Sequence, residues 1–207
     1  MKTIKMIIMS VLVVMGVAAC MPQYQGKGVR VAVVGDSITA HATARVQAEL
    51  GAGGYSYSVM GTPSINMRDA RVPLVQAAAA THPSVLVVEL GINSARDGWT
   101  SGDITDMVRI LGDVRSVPCV VWVIPDAQDH SYYDNQGTSA PTLHGRIMQF
   151  KASLDRRVGA YPNVHVAYWG DVERTHPEWY NGDGLHHSAA GQRAYGRYVR
   201  AQVGAFC

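Results

Sequence analysis

The sequence predicts an α/β domain built on a parallel sheet with helices on both faces. Three observations predict it. Short apolar runs at residues 29–34, 84–90 and 119–124 are rich in β-branched residues and lack polar alternation, as in strands buried on both faces. Amphipathic stretches with a 3.6-residue period separate them. Strand and helix then alternate to the C-terminus, the pattern of a parallel sheet and its crossovers.

The first element is the most informative. Residues 29–40 read VRVAVVGDSITA. The apolar run ends in Gly35-Asp36-Ser37, and a helical pattern begins. Ser37 stands where a strand's C-terminal end meets a helix N-terminus, the place where open α/β sheets put their ligands. Free N–H groups there favour negative charge. A hydroxyl in that position suits a nucleophile attacking a carbonyl; it equally suits a helix N-cap. The helix carries Ile38, Ala42, Val46 and Leu50 as one stripe and is stopped by Gly51-Ala52-Gly53-Gly54.

Residues 55–60 form a short strand candidate, followed by the turn Gly61-Thr62-Pro63-Ser64. A helix is expected over 72–80, with Pro73 near its start. The strand at 84–90 ends in Gly91-Ile92-Asn93-Ser94. The next helix shows Ile104, Met107, Val108, Leu111 and Val114 at helical spacing. After the strand at 119–124, residues 126–142 make a long polar loop, of a length that usually serves function or motion. Leu143, Ile147, Phe150, Leu154 and Val158 mark another helix. Residues 164–168 are the fifth strand candidate, and 170–187 are irregular. Ser188 caps a last helix that turns Ala194, Tyr195, Tyr198 and Val199 inward.

The N-terminus reads as an export signal. Lys2 and Lys5 form a positive region, followed by an apolar stretch over 6–18 that is too short to span a membrane comfortably. Val17-Ala18-Ala19-Cys20 resembles a bacterial lipobox. That resemblance implies cleavage after residue 19 and lipidation of Cys20. Residues 1–19 are then the signal peptide, 20–28 a polar tether and 29–207 one domain. Removing two lysines and no acid takes the formal charge from +2 to 0. No basic stripe remains for nucleic acid. The remaining thiols, Cys119 and Cys207, are candidates for a disulfide outside the cytoplasm; a buried free thiol is the alternative for Cys119.

An ester hydrolase needs a nucleophile, a base, a group that orients the base and donors for the oxyanion. Ser37 is the candidate nucleophile. Asp183-Gly184-Leu185-His186 offers a base and its orienter on one loop, although His187 competes with His186 for the role. The chain has eight histidines, none in a zinc signature such as H-E-x-x-H.

Gly35-Asp36-Ser37-Ile38-Thr39, then Gly61, then Gly91-Ile92-Asn93, then Asp183-x-x-His186 resemble the four ordered blocks of the SGNH/GDSL hydrolases, across residues 29–205. The resemblance implies a three-layer α/β/α sandwich on a flavodoxin-like parallel sheet of about five strands. It implies Ser37 as nucleophile, His186 as base and Asp183 as its orienter. The implied oxyanion donors are the N–H groups of Ser37 and Gly61 and the amide of Asn93, with Asp36 in a structural or orienting role. One departure stands out. The third block usually reads G-x-N-D, and here Ser94 replaces the acid; Asp97 is the nearest substitute.

The expected function is an envelope serine esterase acting through an acyl-serine, with no cofactor. Its substrate is expected to be a small acyl group on a carbohydrate or lipid headgroup. Tyr132, Tyr133, Trp169, Trp179 and Tyr180 are candidates to line the site or simply to pack. Acyl transfer to another alcohol and a non-catalytic binding lipoprotein are the alternatives. A nucleotide-binding reading lacks a glycine-rich phosphate loop after the first strand.

Overall fold

A computed structural model describes residues 23–128, 134 and 142–207. The expected signal peptide, Cys20, Tyr132 and Tyr133 lie outside the described residues. Five parallel strands form the sheet: β1 (Arg30–Gly35), β2 (Ser56–Gly61), β3 (Val85–Glu89), β4 (Cys119–Ile124) and β5 (Val164–Tyr168). Their order is β2-β1-β3-β4-β5. The chain first moves outward from β1 to β2 and then returns past it to β3. The gap between the C-terminal ends of β1 and β3 is therefore the topological switch point, where such sheets bind ligands.

The apolar runs behave as their composition requires. Val31–Val34, Leu86–Val88 and Val120–Ile124 are fully buried because helices cover both faces. Helices α1 (Ser37–Ala52) and α8 (Ala189–Phe206) pack on each other. Helices α2 (Met67–Ala70), α5 (Ser101–Asp113) and α6 (Leu143–Val158) pack together as a second group. Short helices α3 (Ala77–Ala79), α4 (Ile92–Arg96) and α7 (Gly170–Glu173) complete the set. No described helix is long and apolar enough to cross a membrane.

Three local differences from the sequence reading have physical causes. The helical course before β3 starts at Met67, capped by the Asn66 side chain, so Pro73 lies inside it. Residues Arg71–Gln76 form a π-helical turn. A proline lacks an N–H and crowds the carbonyl four residues back, and a widened turn relieves both faults. Secondly, α4 had no periodic signal, being only five residues long.

Thirdly, the expected tether is docked. Gln25 exchanges two 2.8 Å backbone hydrogen bonds with Tyr57, and the Tyr24 hydroxyl meets Thr81 Oγ1 at 2.8 Å. These contacts cover part of the open edge of β2. At the other end of the chain a disulfide joins Cys119 to Cys207, with Cα atoms 6.0 Å apart. It ties the end of α8 to the start of β4.

Candidate active site

Ser37 opens α1 directly after β1. The N-cap is Asp36, not Ser37: Asp36 Oδ1 accepts from the Ile38 N–H at 3.0 Å. That releases the Ser37 hydroxyl from capping. The other donors of the first turn are also spoken for. Thr39 N–H goes to Glu89 Oε2 at 3.2 Å and Ala40 N–H to the Asp36 carbonyl at 2.9 Å. Among the described residues, the Ser37 N–H alone has no partner at this helix start.

The Ser37 hydroxyl is nearly buried and lies 2.9 Å from His186 Nε2. His186 Nδ1 lies 2.6 Å from Asp183 Oδ2. The other Asp183 oxygen accepts the N–H groups of Leu185 (3.0 Å) and His186 (2.9 Å). Burial pushes the Asp183 carboxyl up, but these hydrogen bonds outweigh it and hold the group below the usual carboxylate range. A charged Asp183 keeps the proton on His186 Nδ1 and leaves Nε2 to accept from the serine.

The loop that presents this pair is rigidly tied. Asn181 N–H donates to the His186 carbonyl at 2.7 Å, and Gln128 N–H donates to the Gly184 carbonyl at 2.8 Å. Gly184 sits at φ +70°, a conformation that other residues rarely adopt, so N-G-D-G-L-H can fold back on itself.

His187 is excluded from the site. It is fully buried behind the loop, with Nε2 2.6 Å from Glu173 Oε2. Trp169 Nε1 donates to the same nitrogen at 3.2 Å. Burial raises the Glu173 carboxyl, and its hydrogen bond to His187 opposes that rise. The aromatic group resolves toward packing as well. Trp169 and Tyr180 are buried, and Trp169 stacks on Trp179 with centroids 5.5 Å apart.

Asn93 comes from α4, directly after β3. Its Nδ2 donates to Asp36 Oδ2 at 3.1 Å and to the Ile65 carbonyl at 3.0 Å. Asp36 thus links the cap of α1 to the Asn93 amide, the orienting role expected of it. It supplies the acid that Ser94 does not. Asp97 does not substitute: it is exposed and pairs with Arg96 at 2.8 Å.

Gly61 has a packing role in this structure. A Cβ there would collide with the backbone of Ala40 in α1. Thr62 N–H donates to the Gly35 carbonyl and Tyr57 N–H to Gln25, so strand alternation turns the Gly61 N–H away from β1. The residue of this segment that meets Asn93 is Ile65.

His41, one turn beyond Ser37, escaped the sequence reading although its i+4 spacing places it on the same helix face. Its ring lies 5.1 Å from that of His186. Burial, then the charge of His186, lowers its pKa. A mostly polar cleft of about 250 Å³ is lined by Asn66, Arg68, Ser94, Asp97, Thr100 and Asp103 among others, Ser94 being the residue after Asn93.

No family model matches the sequence, and no curated protein matches it. Solved structures do. A lipase/acylhydrolase from Enterococcus faecalis is similar with a TM-score of 0.70 at 18% identity, over 87% of this chain and 98% of that one. An acetylxylan esterase from Geobacillus stearothermophilus, solved as a catalytic serine-to-alanine mutant, gives 0.64 at 14% identity, over 87% and 96%. Two further catalytic mutants of that esterase replace an aspartate and a histidine three positions apart, the spacing of Asp183 and His186. At these identities the likeness is one of fold. With its 2-1-3-4-5 parallel sheet flanked by helices, this chain has the SGNH hydrolase fold.

Proposed function

We propose that this protein is a serine ester hydrolase of the SGNH type. One observation carries the reading. Ser37 Oγ, His186 and Asp183 form a continuous hydrogen-bonded chain of 2.9 and 2.6 Å, assembled from residues 149 and three positions apart at the sheet's switch point. Ser37 attacks the ester carbonyl while His186 Nε2 takes its proton, and Asp183 steadies the imidazolium. The oxyanion forms beside the open Ser37 N–H. Asn93 adds a second donor by exchanging the Ile65 carbonyl for the oxyanion, a tightening common when a resting site meets its substrate. His186 then protonates the departing alcohol, and water releases the acid from the acyl-serine. No cofactor enters the scheme.

The cleft that Ser94 lines favours a hydroxylated alcohol portion, such as a sugar, over a long acyl chain, because most of its lining is polar. A short acyl group on a carbohydrate is therefore the substrate class we favour. The sequence of residues 1–20 supports export and a lipid anchor on Cys20, with the cell envelope as the location. Labelled palmitate should enter the full chain expressed in bacteria and fail to enter Cys20→Ser; equal labelling would remove the anchor.

The reaction is tested with acetyl and octanoyl p-nitrophenyl esters on residues 21–207. The parent should turn over, with acetyl preferred, and Ser37→Ala and His186→Ala should each fall about 10⁴-fold or more. Turnover should also decline toward pH 4, as Asp36, raised by burial to about 6, loses the charge that holds the Asn93 amide. Full activity of Ser37→Ala would overturn the mechanism.

A further inference from the structure

The scheme above leaves one buried acid at the site unused. Glu89 ends β3 and is fully buried. Its Oε2 accepts three donors from the start of α1: Asp36 N–H at 3.2 Å, Thr39 N–H at 3.2 Å and the Thr39 hydroxyl at 2.8 Å. Its Oε1 is buried and has no partner among the described residues. The neighbouring acid is Asp36, also fully buried and within hydrogen-bonding reach of the Glu89 side chain.

Two adjacent carboxylates cannot both stay charged without water, so the pair must keep a proton. Asp36 accepts an N–H on each of its oxygens, from Ile38 and Asn93, whereas Glu89 accepts only on Oε2 and keeps Oε1 for a proton. Glu89 is then the neutral partner. A proton on the orphan oxygen of Glu89 satisfies that oxygen and is donated to Asp36.

We propose that Glu89 is a positioning residue: as a neutral acid it gathers the first turn of α1 on one oxygen and shares its proton with Asp36. Asp36 then carries the single negative charge that holds the Asn93 amide. The effect is to settle both oxyanion donors at once. With Thr39 and Ile38 taken, only the Ser37 N–H stays open, and Asn93 is anchored from behind. This inference rests on the reading of Ser37 and Asn93 given above.

The electrostatics agree. Burial, then the charge of Asp36, pushes the Glu89 carboxyl well above the usual carboxylate range. Burial raises Asp36 to about 6, while His186 and Arg96 pull it down. From α8, Tyr195 faces Glu89 with a buried hydroxyl. Loss of the shared proton in alkali places a second charge where an oxyanion must form, so the pair sets an alkaline limit on turnover.

The test combines infrared spectroscopy of the carboxyl groups with pH profiles of kcat for the parent, Glu89→Gln and Glu89→Ala. Glutamine reproduces the neutral acid, with an oxygen for the three α1 donors and an N–H for Asp36. The parent spectrum minus that of Glu89→Gln at pH 7 should show a protonated carboxyl band, which isolates Glu89 from another buried acid, Glu173. That variant should keep kcat within about 3-fold and lose the alkaline limit. Glu89→Ala, which strands three donors, should lose roughly 100-fold in kcat with KM little changed. No protonated carboxyl band in that difference, or an alkaline limit that survives in Glu89→Gln, overturns the proposal. If the parent hydrolyses no ester, the esterase reading fails, and the infrared signal alone still decides whether the pair holds a proton.

Discussion

Asn93 carries an unusual share of the site for one neutral side chain. Its two amide hydrogens join three segments: α4 on which it stands, the Asp36 cap of α1 and the Ile65 carbonyl after β2. Removing the amide therefore does two things. It deletes an oxyanion donor, and it leaves the buried Asp36 carboxylate with one partner fewer. Asn93→Ala should lower kcat about 100- to 1,000-fold, with a smaller change in KM, because the donor matters most once the oxyanion has formed. Steady-state kinetics on the acetyl ester checks this; a loss confined to KM would mean that Asn93 binds substrate without acting on the transition state. Asn93→Asp is the sharper variant. It keeps the shape but sets a second carboxyl against Asp36, so it should fare no better than alanine.

At the scale of elements, what the sequence reveals depends on where the information is stored. The central strands were legible because burial on both faces demands unbroken β-branched runs, and Cys119–Ile124 and Val164–Tyr168 occur as read. The site blocks were legible because Ser37 and Asn93 follow strand ends and Asp183 and His186 share one short glycine-bearing loop. What the sequence left open was stored in contacts rather than in patterns. Nothing local tells Asp36 from Ser37 as the cap; the choice follows from Glu89 and Asn93, which are distant in sequence. Nothing local separates His186 from His187 either. The loop's register decides, turning one ring to Ser37 and the other to Glu173. Gly61 reads equally as a donor or a turn glycine until α1 is laid across it. The departure at Ser94 is absorbed in the same way. A buttress of Trp122 Nε1 on the Leu90 carbonyl (3.0 Å) and Arg146 Nε on the Ala95 carbonyl (2.6 Å) brackets α4 from both ends, so the Asn93 segment does not depend on an acid at position 94.

For the whole molecule, the site has a thermodynamic cost that pH should expose. Asp36, Glu89 and Glu173 are buried carboxyls whose pKa values are raised in the folded protein, burial being the largest cause in each. A raised acid binds more protons folded than unfolded. Its contribution is favourable below the ordinary carboxylate pKa and is lost as pH rises toward the folded value. For Asp36, moved from 3.8 to about 6, the loss is about 3 kcal/mol, complete just above pH 6. Glu89 and Glu173 act with the same sign. Asp183 opposes them, but its lowered pKa gives stability already in place above the ordinary value of 3.8. His41 also opposes them, weakly, because its ring is largely exposed to solvent. Thermal unfolding of the described domain should therefore be hardest near pH 4 and several degrees easier by pH 8. Turnover should run the other way up to about pH 6, because it needs an ionised Asp36 to hold the Asn93 amide. A Tm that rises from pH 5 to pH 8 would show that the buried acids are not neutral in the folded state. Opposite slopes of stability and turnover would locate the molecule's main destabilising charge in the site that gives it activity.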